Sequence, residues 1–407
     1  MECIPFITGI ESSKLYSTKY NFCVINMENS RPNVCIISAP LIEMKGADQN
    51  LFNFINILLP ISNEIYVMSS GFQMNNAKVA VINKHKTWQK NANMWARIFR
   101  YLAAQLTGSI DLIKIMPKCD KVILHSGAQL YLLPIIISKI SHRTTILVQQ
   151  GSVANYSKPV SKAKPQYTKW VLYLVLSFLE NLSNYLVDKI VVESPSIVSF
   201  SNLSRNQDKI FIGDYTYIDT NIFKINKKFK HRKLIVGYVG QFQEVKGVIN
   251  FARAIPLVLA HNNNIQFVMV GKIGKSNLVE DELNAAGILD RVFISERVHP
   301  NEIPKILNEM RLLVLPSLSE GLPIIIRQSM ACGTPVLATP VGGIPDLIIN
   351  ERTGFLTENN SPECIARHII KSLEFNQIDQ IINAAHKIIE NEYAYNCVVQ
   401  RWEKILN

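Results

Sequence analysis

The stretch that decides the fold is Pro316-Ser317-Leu318-Ser319-Glu320-Gly321-Leu322-Pro323, continued by IIIRQSMACGTPVLATPVGGIPDLI over 324–348. Behind it lies the apolar run LLVLP, and within it a second run, PVLAT, with a helical pattern between the two. Short continuous apolar runs suit strands buried on both faces, as in a parallel sheet. A turn follows the first run, and Pro323 opens a helix where its missing N–H does no harm. Glu320 therefore falls beside a helix N-terminus at the sheet edge where open α/β sheets bind ligands. A carboxylate there accepts hydrogen bonds from ligand hydroxyls while the free helix N–H groups meet an anion. The plainer alternative is a helix cap, and the agreement of the whole context favours a functional role.

Working outward, the same arrangement occurs earlier. Val239-Gly240-Gln241-Phe242-Gln243-Glu244-Val245-Lys246-Gly247 follows the strand-like LIVGYV and precedes a helix. Gly240 lets the backbone turn and leaves room for a ligand. Lys246 stands ahead of a helix N-terminus, which favours an anion. A lysine ~4 Å from a phosphate gains about 4 kcal/mol at an effective dielectric near 20, before desolvation. The spacing is not GxxxxGK[ST], which disfavours a P-loop NTPase.

The alternation of strands and helices extends over most of the chain. Candidate strands upstream are 33–38, 64–68, 78–82, 121–125, 144–148, 189–192 and 209–212, with helices at about 47–59, 93–107, 128–141 and 168–186. This predicts an α/β protein of βαβ units wound on parallel sheets. A basic stretch, NKKFKHRK, interrupts the pattern at 226–233, and a fresh set of strands follows. The expected division is a first domain over 1–225, a second over 226–390 and a closing amphipathic helix over 391–407, with Val399, Trp402 and Ile405 on one face. The first ~30 residues pattern weakly and read as a loose extension.

At 407 residues, two domains are the default. The chain is 48% hydrophobic and 18% charged, as a packed globular protein is. Seven widely spaced cysteines with no CxxC suggest neither a disulfide framework nor a zinc site, and a reducing cytoplasm fits best. No signal peptide is read at the N-terminus. The most apolar stretch, Trp170 to Leu179, is too short to span a bilayer, which takes about 20 residues, and reads as a buried helix. Of the net charge of +11, residues 1–225 hold 23 Lys+Arg against 14 Asp+Glu. That basic half suits an anionic membrane surface or an anionic acceptor, or simply keeps the protein soluble. Nucleic acid is disfavoured, because the lysines are scattered and no helix-turn-helix, RRM or zinc-finger pattern occurs.

Together these motifs resemble the retaining glycosyltransferases of family 4, the "group 1" class with the GT-B fold. The resemblance covers about 234–375 closely. It includes Val270-Gly271-Lys272, Glu351-Arg352-Thr353-Gly354-Phe355-Leu356 and Asn359-Asn360-Ser361-Pro362-Glu363, and it continues more weakly through the first domain. It implies two Rossmann-like domains facing across a cleft, with the closing helix packed back on the first. It also implies transfer of a sugar from a nucleoside diphosphate sugar to a hydroxyl acceptor, lipid-linked in some relatives, in polysaccharide, glycolipid or glycoprotein assembly. Neither metal nor cofactor is implied. By position, Lys246 holds the diphosphate, Glu320 and Gly321 meet the donor sugar, and the amides around Leu322, Pro323 and Ile324 support the phosphates. Gly240, Gly271 and Gly274 keep the backbone near the nucleotide.

On the acceptor side, His125 ends a strand where some relatives orient or deprotonate the acceptor hydroxyl; its other reading is the cleft wall or a helix cap. Gly46, after the first strand, and Gly151, after another, are weaker acceptor-side candidates. The segment 156–169 holds four lysines and is read either as a membrane-facing loop or as an ordinary one. Three positions depart from the family pattern. Gln328 stands where the Glu-x7-Glu motif has its second glutamate, Gln241 where an arginine is usual, and Glu296 where glycine is common. Exchanging a charged acceptor for an amide turns a bond of ~1.5–3 kcal/mol into one of ~0.5–1.5. The alternative they raise is a degenerate GT-B protein serving as a non-catalytic partner subunit.

Overall fold

The computed structural model describes residues 31–38, 47–69, 72–82, 94–125, 128–149, 167–201, 203–272 and 277–407. The apolar runs form the strands. The first set is β1 Val34–Ser38, β2 Ile65–Met68, β3 Val79–Ile82, β4 Lys121–His125, β5 Thr144–Gln149, β6 Lys189–Val192 and β7 Ile210–Ile212. The second is β8 Ile235–Val239, β9 Gln266–Lys272, β10 Val292–Glu296, β11 Leu312–Leu315, β12 Val336–Ala338 and β13 Phe355–Leu356. They build a seven-stranded sheet ordered β3-β2-β1-β4-β5-β6-β7 and a six-stranded sheet ordered β10-β9-β8-β11-β12-β13. Every ladder pairing is parallel.

Parallel strands need crossovers, and helices on both sheet faces explain why VCIIS of β1 and LLVL of β11 are buried throughout. Both sheets are doubly wound, which is the GT-B type of architecture: two Rossmann-like domains in one chain. In each, strand order reverses once near the centre, between β1 and β4 and between β8 and β11. Beyond the carboxyl ends of the strands at such a reversal, the connections part and leave a crevice.

The helix Met94–Ile115 runs eight residues beyond the 107 expected from sequence. Gly108 lies inside it, in ordinary contact with Met68. The closing helix is Tyr395–Leu406, with Val398, Trp402 and Ile405 buried and Val399 only partly so. Trp402 is fully buried in the first domain, edge-on to Phe54, and its Nε1 donates to Asp214 O at 2.5 Å.

The two domains meet through a buried charge network. Arg327, on the second-domain helix Ile324–Ala331, pairs with Asp214 at 3.0 Å and lies 3.5 Å from Glu193, the residue after β6. Asp214 also takes Arg401 of the closing helix at 2.8 Å. Ser196 donates through N and Oγ to Asp346, both at 2.8 Å, so residues after β6 touch residues after β12.

Removing one partner of a buried pair strands the other's charge, at about 3–5 kcal/mol, whereas an exposed pair is worth about 0–1. Arg327→Met is expected to lower unfolding stability by several kcal/mol in urea titrations. Arg253→Ala, which breaks the exposed pair with Glu282, is expected to cost less than about 1.

Candidate active site

At the reversal in the second sheet, two loops converge. After β8, Gly240-Gln241 leads through a short turn, Glu244–Lys246, into the helix Val248–His261. After β11, residues 316–323 lead to the helix Ile324–Ala331. Leu318 N donates to Val245 O at 2.9 Å and ties the loops together. Across that tie Lys246 Nζ meets Glu320 Oε2 at 2.7 Å. The second carboxylate oxygen accepts from Ser317 Oγ at 2.7 Å, and Thr339 Oγ1 holds Ser317 by donating to its carbonyl. Glu320 is buried while Lys246 stays partly exposed. The carboxylate is thus fixed from two sides, and the ammonium can still reach a ligand.

Three glycines make this close approach. Gly247 adopts φ 68° with its Cα against the Pro316 carbonyl, where a Cβ has no room. Gly271, at φ 123°, presses on the Gly240 carbonyl, and Gly240 N donates to Val270 O at 3.0 Å. Gly342, at φ 59°, lies against the Glu320 carbonyl. Any side chain at these positions pushes one site loop off another.

Neither helix that opens at the site carries a side-chain N-cap. Their first-turn N–H groups and dipoles favour an anion beside Lys246. Pro323 is the residue before the helix rather than its first member, so Ile324 supplies the first N–H. Gln241 is exposed, and Tyr238 OH donates to its carbonyl at 2.8 Å, which fixes the backbone and leaves the side chain to solvent. Gln328 is half-buried one turn into the helix. Glu296 ends β10 where its register against β9 shifts, and it is exposed.

His125 is not brought to this cluster. It ends β4 two residues after Ile123 and so shares that residue's sheet face. That face packs on the helix Ala47–Leu58. Its ring stacks on Phe54 with centroids 4.9 Å apart, meets Tyr215 edge-on, and is 1% exposed. Among the described residues neither ring nitrogen has a hydrogen-bond partner. Burial pushes its pKa down to about 3. The expectation of a proton acceptor at the acceptor hydroxyl is corrected by this packing: the ring is neutral and shut in an aromatic layer. Among the described residues its ring caps no helix either. Gly46, Gly151 and Gly274 lie outside the described residues, as do 156–166 of the lysine-bearing segment.

Sequence reading missed Arg327 and its partners. The available signal was a lone charge on the apolar side of IIIRQSMA. Burial pushes the Glu193 carboxyl up to about 8 against the pull of Arg327. Elsewhere, Glu358, Cys364 and His368 place ligand atoms within 4.8 Å of one another. Arg367 already pairs with that carboxylate at 2.8 Å, where a cation would otherwise sit.

With this geometry in view, comparison with known proteins narrows the class. The fold is that of solved GT-B glycosyltransferases. It is similar to the crystal structure of Anabaena HepE in complex with UDP and glucose (TM-score 0.67, 15% identity, 92% of this chain and 99% of that one). It is also similar to sucrose-phosphate synthase from Thermosynechococcus elongatus (TM-score 0.70, 15% identity, 92% and 98%). More specifically, residues 219–395 match the family described as Glycosyl transferases group 1. In sequence the chain is 23% identical over 256 residues to the capsular polysaccharide biosynthesis glycosyltransferase CapM of Staphylococcus aureus, covering 58% of this chain and 65% of CapM. The match to an uncharacterised glycosyltransferase of Methanocaldococcus jannaschii is 25% identical and covers 54% and 60%. The chain thus spans slightly less than two thirds of these relatives.

A histidine neutral in the folded state but titrating near 6.5 when unfolded lowers stability as pH falls below 6.5. At pH 5 the cost is about 2 kcal/mol, at ~1.36 kcal/mol per pH unit. His125→Phe should remove this component. The measured outcome is a smaller stability loss between pH 7 and 5 than wild type shows in paired urea titrations.

Proposed function

We propose that the protein is a retaining glycosyltransferase of family 4. It moves a sugar from a nucleoside diphosphate sugar to a hydroxyl acceptor in the assembly of a polysaccharide, glycolipid or glycoprotein. One observation carries the reading: Lys246 and Glu320 are held 2.7 Å apart at the strand-order reversal, beside two uncapped helix N-termini. A diphosphate bears more charge than the carboxylate that now holds Lys246. It draws the ammonium across and leaves Glu320 fixed by Ser317 with an oxygen free for sugar hydroxyls. As the glycosidic bond to the diphosphate breaks, negative charge grows on the leaving oxygen. Lys246, the amides from Ile324 onward and the two helix dipoles offset it without reorganising. The acceptor approaches from the first domain, on the same face as the departing group, which gives retention. No metal is needed for this charge balance. HepE's complexes with UDP make uridine the first base to try.

Gln241 and Gln328 weaken the donor site relative to an arginine and a glutamate without removing Lys246 or the amides. The basic first domain, in the same reading, brings the enzyme to a membrane that carries a lipid-linked acceptor.

The test is thermal unfolding against UDP, GDP, ADP and TDP and their sugar conjugates. Ligand at 100 times its Kd adds about 2.7 kcal/mol of stability. A selective rise is expected with one base. Lys246→Ala and Glu320→Gln should each reduce transfer at least about a hundredfold, chelator should leave the rate unchanged, and product NMR should show the donor's anomeric configuration. Inverted product overturns retention. A flat panel, with Gln241→Arg and Gln328→Glu changing nothing, favours the non-catalytic partner subunit.

A further inference from the structure

Three helices of the first domain, Met94–Ile115, Leu132–Ile140 and Tyr167–Leu186, form one layer over the sheet face that carries Cys35, Ile37, Leu124 and Leu147. The outer side of this layer is apolar. The first helix buries Gln105, Ser109 and Asp111 yet exposes Leu102, Leu106, Ile110 and Ile113, spaced four, four and three so that they form one stripe. On the second helix Leu133, Ile136 and Ile140 do the same, with Ile140 73% exposed. The third presents Trp170, Leu174 and Phe178 at every fourth position, with Phe178 67% exposed. Its opposite side, with Glu180, Ser183 and Asn184, is the buried one. Soluble monomers rarely expose contiguous apolar patches beyond a few hundred Å².

Charge says what covers this face. Among the described side chains of the three helices the cations are Lys114 and Lys139, both solvent-facing, and the only carboxylates are Asp111 and Glu180. Both carboxylates are buried, at 7% and 5% exposure, so the layer shows no carboxylate of its own outward. Lys114 reaches Asp111 at 3.5 Å, and Lys139 pairs with Asp188 outside the layer. A second copy docked face to face sets these cations against one another. An anionic lipid surface takes up both the apolar stripes and the cations. Among the described residues no helix is long and apolar enough to cross a membrane, so this layer lies on the surface rather than spanning it.

We infer that this three-helix face docks the protein on an anionic bilayer, with Trp170, Leu174 and Phe178 entering the boundary between headgroups and acyl chains. The inference rests on the membrane contact named in the proposed function and specifies its surface and lipid charge. It does not depend on the transfer chemistry.

The experiment uses the full chain in vesicle flotation, with phosphatidylcholine alone and with added phosphatidylglycerol. Tryptophan quenching by brominated acyl chains is read alongside. Wild type is expected to float with the anionic vesicles and to be quenched, and Trp170→Phe to lose most of the quenching. Leu174→Glu/Phe178→Glu is expected to weaken binding at least about tenfold while keeping its unfolding midpoint and its nucleotide response. Because both side chains are exposed, these substitutions leave the core intact; Phe178→Ala alone, with a smaller loss, covers the case of misfolding. Wild-type binding by the double variant overturns the inference for this face but leaves membrane contact standing. Absence of binding to anionic vesicles overturns both. A wild-type dimer that the double variant breaks, with no vesicle binding, replaces the lipid by a second copy. Vesicle binding without any nucleotide response leaves the face in place and removes the donor reading.

Discussion

The buried contact between Arg327 and Asp214 sets the frame on which the site depends. Arg327 belongs to the helix that starts at the site, Asp214 to the chain leaving the first sheet, and Arg401 to the closing helix. A charge of each sign in a dry interior is stable only with its partner at close range, because each alone costs several kcal/mol of lost hydration. The pairing therefore allows few relative positions of the two domains. Apolar packing alone allows many, since it has no preferred direction. The same helix that carries Arg327 on its buried side begins beside Glu320, so fixing the domains also fixes the loop after β11 against the edge of the first sheet.

Within that frame the site is made by backbone rather than by side-chain reach. Gly247, Gly271 and Gly342 hold positive φ angles and touch neighbouring carbonyls at distances no Cβ permits. This brings the loops after β8 and β11 near enough for Lys246 and Glu320 to meet, although 74 residues separate them. An ion pair in a partly exposed place is a weak stabiliser. Its value lies in keeping an ammonium positioned and exchangeable beside helix termini that attract anions.

Much of this was legible in the sequence, for physical reasons. Strands buried on both faces write continuous apolar runs, so Lys121–His125 and Lys189–Val192 were placed to the residue. Lys246 and Glu320 were legible because each stands between a strand and a helix, where open α/β sheets bind ligands. What escaped was tertiary in origin. The helix Met94–Ile115 outruns its expected end at 107, because packing on the sheet continues it past Gly108. His125 reads as a functional residue at a strand end until the period-two alternation, combined with the identity of the covering helix, puts it against Phe54. The short helix Pro195–Phe200 was missed because so few residues write no periodic pattern. Arg327 looks like an interruption in an apolar helix, and its partners come from the residue after β6 and the stretch after β7, over a hundred residues away.

The helix Tyr167–Leu186 poses the same problem from the other side. An apolar helix inside a chain reads as buried, and Trp170 to Leu179 was so read. Burial, however, is a property of what lies around a helix, not of its composition. This helix already has one side against the domain, and a single helix layer over a sheet cannot bury the other. Soluble proteins meet that constraint with polar residues outward. Here the outward positions hold Trp170, Leu174 and Phe178 instead, and the layer's own acidic groups point inward. Such a composition is costly in water, and the inferred docking on a bilayer supplies the missing apolar contact. The apolar face lies on one side of the first domain, while the Lys246–Glu320 pair stands at the carboxyl edge of the second sheet. In the proposed reading docking and chemistry therefore occupy different parts of the protein, and substitution is expected to remove one without the other.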